Sequence, residues 1–214
     1  MKPNKSGNQA SIKVTSKTLN KLDTLSVTQN NLTPTYRSIL DYYWLLGLTQ
    51  SWADLIKNRF AQTNEKVTIL DAGCGEGVAM GDLLSDKDLT PILGKCVGAS
   101  LHFFPRIADI FGEHGNRFEY FCGPVQSTLK QTHEKFDFIT DVAGAFLYSD
   151  DVLNLLRQYY QALKPGGKAF IFDSQQDPNL IKSPNHGRFV NLRNFLCKQF
   201  PDIFSQTKGT HLKN

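Results

Sequence analysis

Residues 67–77 read VTILDAGCGEG, a short apolar run that closes on an aspartate and three alternately spaced glycines. Val67 to Leu70 has the length and aliphatic content of a buried strand, and the glycine-rich stretch behind it predicts a turn into a helix near 77–86. Gly73, Gly75 and Gly77 can take positive φ and carry no Cβ, so ligand atoms can approach the main chain. A helix starting there points its amide-rich end at the same place. Asp71, at the strand end, can fix the turn or accept from a ligand ammonium. Taken alone, the same residues also fit a tight strand-to-helix connection that binds nothing.

Further apolar runs follow at 95–100, 117–122, 136–140 and 168–173, separated by amphipathic stretches near 103–112, 124–132 and 151–163. Strands joined by connections of this length imply parallel crossovers. The expected fold is therefore α/β, a doubly wound, Rossmann-like and mostly parallel sheet over residues 64–214. Such sheets bind ligands beyond the carboxyl ends of their strands, where the strand order reverses. Upstream, residues 31–63 hold apolar positions spaced three and four apart, which predicts a helical cap of two helices broken near Gly47. Residues 1–30 are rich in Lys, Ser, Thr, Asn and Gln and read as a disordered basic arm. Beyond 173 come a polar loop with Pro178 and Pro184, a helical pattern near 186–199 and one further strand near 202–207.

The formal net charge of +4 is unevenly spread: residues 1–35 carry +4, residues 36–180 carry −5 and residues 181–214 carry +5. A nucleic-acid enzyme would place its basic surface around the active site, so a nucleic-acid substrate is disfavoured. No apolar run approaches the roughly 20 residues that span a bilayer, and the N-terminus lacks a secretory signal. A soluble cytoplasmic protein is expected, with oligomeric state left open. Cys74, Cys96, Cys122 and Cys197 form no CxxC pair and read as small core residues in a reducing compartment. Histidine and cysteine spacing offers no metal site, so none is expected.

A dinucleotide would ask for glycine at position 78, where the chain has Val78. The register is G-x-G-x-G instead, and DAGCGEG resembles motif I of the class I S-adenosylmethionine-dependent methyltransferases. LKPGG at 163–167 resembles the turn before that family's fifth strand. KFDFITD at 135–141 resembles its fourth strand, and VGASLH at 97–102 the end of its second. The match runs over roughly residues 65–175, and LKPGG disfavours a nicotinamide oxidoreductase.

The resemblance implies S-adenosyl-L-methionine as cofactor, with Asp71, Gly73, Cys74, Gly75 and Gly77 at its methionine end. It places Ser100 at the ribose, where the family usually has an acid. Leu101, Gly123, Pro124 and Val125 fall at the adenine, where the family often reads G-D-A. Asp141 falls where members contact the cofactor's amino group or the substrate, and Tyr148 follows on the adjoining loop; these two are the catalytic candidates. For Asp141 the other reading is a turn cap, and for Tyr148 a half-buried packing residue. Tyr42, Tyr43 and Trp44 either hold the sulfonium by cation–π attraction or pack the cap on the sheet. His102 and His186 are weaker candidates for a base. NPPY is absent, TDVAGAF standing in its place, which leaves small molecules or protein sites as acceptor. The end of the chain does not fit the family's full terminal hairpin: the last strand is absent or the sequence is truncated. The expected activity is methyl transfer to a small-molecule acceptor; the alternative is a methyltransferase-like protein of weak or no turnover that binds cofactor or a protein partner.

Overall fold

The computed structural model describes residues 11–15, 37–149 and 151–172, and the backbone alone of 180–182 and 189–191. In chain order the strands are β1 (Ile12–Val14), β2 (Val67–Ala72), β3 (Leu93–Ser100), β4 (Phe118–Cys122), β5 (Phe136–Val142), β6 (Leu163–Phe172), β7 (Leu180–Lys182) and β8 (Phe189–Asn191). The helices are α1 (Ile39–Leu45), α2 (Trp52–Thr63), α3 (Val78–Ser85), α4 (Arg106–His114), α5 (Val125–Gln131), α6 (Ala145–Tyr148) and α7 (Val152–Ala162).

β2 sits mid-sheet, where all of its residues but Thr68 are buried and both faces are covered. The sheet runs β1-β4-β3-β2-β5-β6, with β2 to β6 parallel and β1 antiparallel to β4. Alternate residues feed two cores. Val67 and Ile69 join Met80, Ile107 and Trp52 on one face; Leu70 and Ala72 join Phe146, Leu155 and Tyr159 on the other. The chain leaves β2 toward β3 and β4, then crosses back to β5 on the other side. The reversal therefore lies between β2 and β5, and it opens a crevice at their carboxyl ends.

Local chemistry explains the helical cap. Ser38 and Asp41 form a reciprocal capping box that starts α1, and Ser51 caps α2 by accepting from the Asp54 amide. Between the two helices Gly47 takes φ of 59°, so the expected break is observed.

Two expectations need correction. Ile12–Val14 lies within the stretch expected to be a disordered arm, yet it forms the edge strand β1. Val14 is buried, and Lys13 Nζ pairs with Glu119 Oε1 at 2.8 Å, which anchors the strand to β4. Phe189–Asn191, inside the expected helical pattern, instead pairs antiparallel with Leu180–Lys182. Phe and Val favour strands, and the pairing satisfies backbone groups that a helix would have satisfied otherwise. The strand expected near 202–207 and the remainder of residues 1–30 lie outside the described residues.

LKPGG is an excursion of β6. Phe136 pairs with Leu163 and Phe138 with Lys168, so the residues between are extruded. Gly166 takes φ of 72°, and a Cβ there would meet Arg59 Nη1 at 2.9 Å. Arg59 donates from Nη2 to Pro165 O at 2.7 Å and from Nε to Asp137 Oδ1 at 2.8 Å. Asp137 also accepts from the Thr68 amide at 2.8 Å and Lys164 Nζ at 2.9 Å. One carboxylate thus ties α2, β2, β5 and the excursion together. Burial pushes it up, but the Thr68 amide, Lys164 and Arg59 overcome this and hold it below its usual value. Asp137→Asn is expected to cost about 2 kcal/mol at pH 7, since hydrogen bonds to a charged group are worth roughly 1.5–3 kcal/mol. A group with a lowered folded pKa stabilises above its unfolded pKa and loses that contribution as pH falls. The difference between wild type and variant in denaturant melts should therefore shrink below about pH 4.

Candidate active site

Asp71, next to last in β2, is wholly buried, and after Ala72 the chain turns through Gly73, Gly75 and Gly77 into α3. The amides of Gly73 and Cys74 donate to Ala99 O at 2.7 and 3.0 Å, pinning the turn to the end of β3. Gly77 is the N-cap of α3 and makes no side-chain capping bond, so the first-turn amides of α3 have no capping acceptor there. On the other side the turn meets the β5–α6 connection: a Cβ on Gly73 would lie 2.3 Å from Gly144 Cα. Gly73, with φ of 94°, is required here both by conformation and by this approach.

Asp71 accepts from Tyr42 Oη at 3.1 and 2.9 Å and from Thr140 Oγ1 at 2.9 Å. Burial pushes its carboxyl up to about 7, against the opposing effects of Thr140, Tyr42 and the nearby Arg37 charge. The Arg37 guanidinium donates from Nη1 to Val142 O at 2.9 Å. Arg37 and Tyr42 therefore bring the helical cap onto the strand ends where the sequence placed a ligand. Arg37 was missed in the sequence, because a single arginine before a capping serine has no periodic signature. Tyr42 was weighed for its ring face; the structure uses its hydroxyl. Tyr43 and Trp44 meet edge to face at 5.0 Å, and Trp44 is 70% exposed.

Asp141, at the end of β5, is also wholly buried. Its Oδ1 accepts from the Gly144 amide at 3.1 Å, and its Oδ2 accepts from the Phe146 amide at 2.9 Å and Tyr159 Oη at 2.7 Å. This is the turn-cap arrangement, and it fixes the connection that touches Gly73. Burial pushes this carboxyl up to about 7 as well, with the donors opposing and the Asp71 charge adding to the rise. Tyr148 stands at the end of α6 with 57% of its surface exposed, so it is not the half-buried residue weighed above.

Ser100 is buried at the end of β3, and its carbonyl accepts from the Gly123 amide at 2.8 Å. Leu101 beside it is exposed. Ser11 packs on the β4 end: a Cβ on Gly123 would meet its Cα at 2.7 Å, and its hydroxyl donates to Pro124 O at 2.7 Å. The Val125 side chain belongs to the core under α5, which leaves its backbone as the part that can face a ligand. His102 accepts from Tyr120 Oη through its carbonyl, and burial lowers its imidazole pKa. Cys74, Cys96 and Cys122 are free thiols, and burial pushes all three up, Cys96 to about 12. That is the state of inert core thiols. His186 and Cys197 lie outside the described residues.

The glycine turn, Asp71 and Ser100 are thus brought together at the carboxyl ends of β2 and β3, with Gly123–Val125 beside them and Tyr148 at the far end of α6. The features the resemblance asks for at the methionine end of S-adenosylmethionine are present: a buried carboxylate, a helix start without a side-chain cap, and a turn in which a Cβ at Gly73 would meet backbone at 2.3 Å. Where the resemblance places the adenosine, Ser100 offers a hydroxyl and Pro124 no polar side chain.

Residues 44–207 match the family model described as "Methyltransferase domain". No curated protein matches the chain. Among solved structures, the chain is similar to the 1,6-didemethyltoxoflavin-N1-methyltransferase of Burkholderia thailandensis, at 16% identity over 85% of this chain and 90% of that one, with a TM-score of 0.47. It is also similar to an S-adenosylmethionine-dependent methyltransferase from Clostridium acetobutylicum, at 22% identity over 55% of this chain and 47% of that one, TM-score 0.37. An amino pentose methyltransferase from Micromonospora echinaspora shares 17% identity over 66% of this chain and 57% of that one, TM-score 0.38. The chain spans about half the length of the latter two. No helix among the described residues is long and apolar enough to cross a membrane.

Proposed function

The chain belongs to the methyltransferase-domain family, whose cofactor is S-adenosylmethionine, and from that premise we propose that it methylates a small-molecule acceptor. The observation that carries the reading is the buried Asp71 carboxylate beside a glycine turn and an uncapped helix start. The bound sulfonium supplies an electrophilic methyl carbon. The protein's part is to hold donor and acceptor in line, and orientation alone can contribute several kcal/mol.

In this reading Asp71 accepts from the cofactor ammonium, while Gly73, Cys74, Gly75 and Gly77 shape the turn around its amino-acid end. Arg37, beside Asp71, offers a cation near the cofactor carboxylate. Ser100 lies at the ribose; Leu101, Gly123, Pro124 and the Val125 backbone border the adenine. Asp141 acts as a positioning residue: by accepting from the Gly144 and Phe146 amides it holds residues 144–146 against Gly73. Tyr148, exposed at the end of α6, is the proposed acceptor-side contact. A small acceptor is supported by the −5 charge of residues 36–180, which contain the crevice, and by the lack of NPPY. The free thiols, Cys74 and Cys96 buried and Cys122 half-buried, suit a reducing, cytoplasmic setting.

Calorimetry with S-adenosylmethionine, S-adenosylhomocysteine and NAD tests the reading. Binding of the two sulfur ligands without NAD is expected; binding of NAD alone would overturn it. Ser100→Asp is expected to tighten S-adenosylhomocysteine about tenfold, the gap between a charge-assisted and a neutral hydrogen bond to the ribose. Unchanged affinity would remove Ser100 from the ribose.

A further inference from the structure

The register of β1 brings the chain into the sheet at its crevice end. Val14 lies opposite Tyr120 and Ile12 opposite Cys122, so Ser11, one residue further out, stands beyond the last residue of β4 and against the turn into α5. Residues 11–15 precede the 44–207 stretch shared with the family. Ile12 is half exposed, so little apolar burial holds this end of the strand. Ser11 holds it instead, and it is buried. Its Oγ donates to Pro124 O at 2.7 Å and accepts from Thr128 Oγ1 at 3.2 Å, while its carbonyl accepts from Gln131 Nε2 at 2.7 Å. Each of these partners belongs to the β4–α5 turn or to α5 itself.

The approach is close on the backbone side as well. Gly123 takes φ of 141°, and a Cβ there would lie 2.7 Å from Ser11 Cα and 2.9 Å from its Oγ. The Gly123 amide donates to Ser100 O at 2.8 Å. Pro124 has no amide hydrogen, so its carbonyl is the polar group by which a side chain can grip the turn at that residue, and Ser11 supplies the grip. The Gly123–Pro124 link is therefore held between the end of β3 on one side and Ser11 on the other.

We propose that Ser11 is a positioning residue for the cofactor: from the edge strand it fixes the Gly123–Val125 turn in the form that borders the adenine. This rests on the placement of the adenosine given above. Linkage makes the effect reciprocal, so a bound ligand also holds the strand in place. Ser11→Ala in the full chain deletes the hydroxyl and leaves the backbone pairing of β1 intact. S-adenosylhomocysteine should bind this variant about fivefold more weakly, the equivalent of one neutral hydrogen bond. 5′-Methylthioadenosine, which carries the adenosine half without the amino-acid end, should lose the same factor. Lys13→Ala removes the ion pair to Glu119 on the same strand but nothing at the turn, and it should leave both affinities unchanged. A role confined to holding the sheet together would lower the melting temperature in both variants and change neither affinity. In the wild-type protein, saturating S-adenosylhomocysteine should slow amide exchange across residues 11–15 several-fold, a measurement that stands if Ser11→Ala does not fold. Equal affinity of Ser11→Ala and wild type for both ligands, an equal loss in Lys13→Ala, or exchange in residues 11–15 unchanged by ligand would overturn the proposal and leave the cofactor assignment standing. Failure of the wild type to bind S-adenosylhomocysteine would overturn both.

Discussion

Gly73→Ala is expected to lower the melting temperature by about 8–16 °C and to abolish S-adenosylhomocysteine binding, taking about 2–4 °C per kcal/mol for a domain of this size. Two costs add. The residue stands at φ of 94°, outside the regions that L side chains adopt readily. Left-handed backbone costs roughly 1–2 kcal/mol. The new Cβ would also fall 2.3 Å from Gly144 Cα and 3.0 Å from the Ala145 amide nitrogen. Both neighbours are backbone held by the Asp141 cap, so no rotamer change relieves the overlap, and overpacking of this kind costs about 1–3 kcal/mol or more. The sum is about 4 kcal/mol. Gly144→Ala should behave alike, since its Cβ would lie 2.1 Å from Ala72 O. Gly112→Ala is the control: a helical position with open space around it, where alanine should stabilise by about 0.4–1 kcal/mol. Thermal melts of the three variants, followed by ligand titration, check the ordering. A Gly73→Ala protein that melts within a degree or two of wild type would mean that the two turns separate at no cost.

The contact between these turns shows what the sequence could and could not convey. Local pattern was sufficient for β2, β3, β4 and β5, because each apolar run is bounded by turn chemistry, and for α7, whose Asp151 cap is written in the chain. DAGCGEG announced a close backbone approach; it did not announce that the approaching backbone is Gly144, 71 residues on. Asp141 was legible as functional or structural but not as which. The choice depends on Tyr159, which sits on the inner face of α7 and reads as one more core aromatic until its hydroxyl finds Asp141 Oδ2. β1 was illegible for a related reason. Three residues in a polar stretch carry little period-2 signal, and the strand is held by non-local partners: Glu119 to Lys13 and Gln131 to the Ser11 carbonyl. Long-range polar contacts leave no local period, so the residues that join elements are the ones the sequence hid.

With Asp71 as the proposed ammonium acceptor, cofactor affinity is expected to rise roughly twentyfold between pH 5.5 and 7.5. The sign follows from the carboxyl. Its folded pKa is raised to about 7, chiefly by burial, and only the ionised form can accept from an ammonium. Below that value each pH unit therefore costs about tenfold, because a proton must leave before the ligand is held. The rise should stop near pH 8, where an α-amino group of pKa about 7.7–8.0 begins to lose its own charge. The same proton acts oppositely on the ligand-free fold. A carboxyl whose folded pKa is raised stabilises fully below its unfolded value of about 3.9, and that contribution is lost as pH rises through about 7. Asp141 carries the same sign and Asp137 the reverse, so the unliganded protein should be most stable on the acid side of neutrality, where it binds cofactor worst. Two variants separate Asp71 from other titrating groups. Asp71→Asn should bind weakly and show a flat profile. Tyr42→Phe removes a hydrogen bond that holds the Asp71 carboxyl down, so its profile should keep its shape and move to higher pH. S-adenosylhomocysteine titrations across pH 5.5–8.5 read all three. A wild-type affinity independent of pH, with no displacement in Tyr42→Phe, would place the ligand ammonium somewhere other than Asp71.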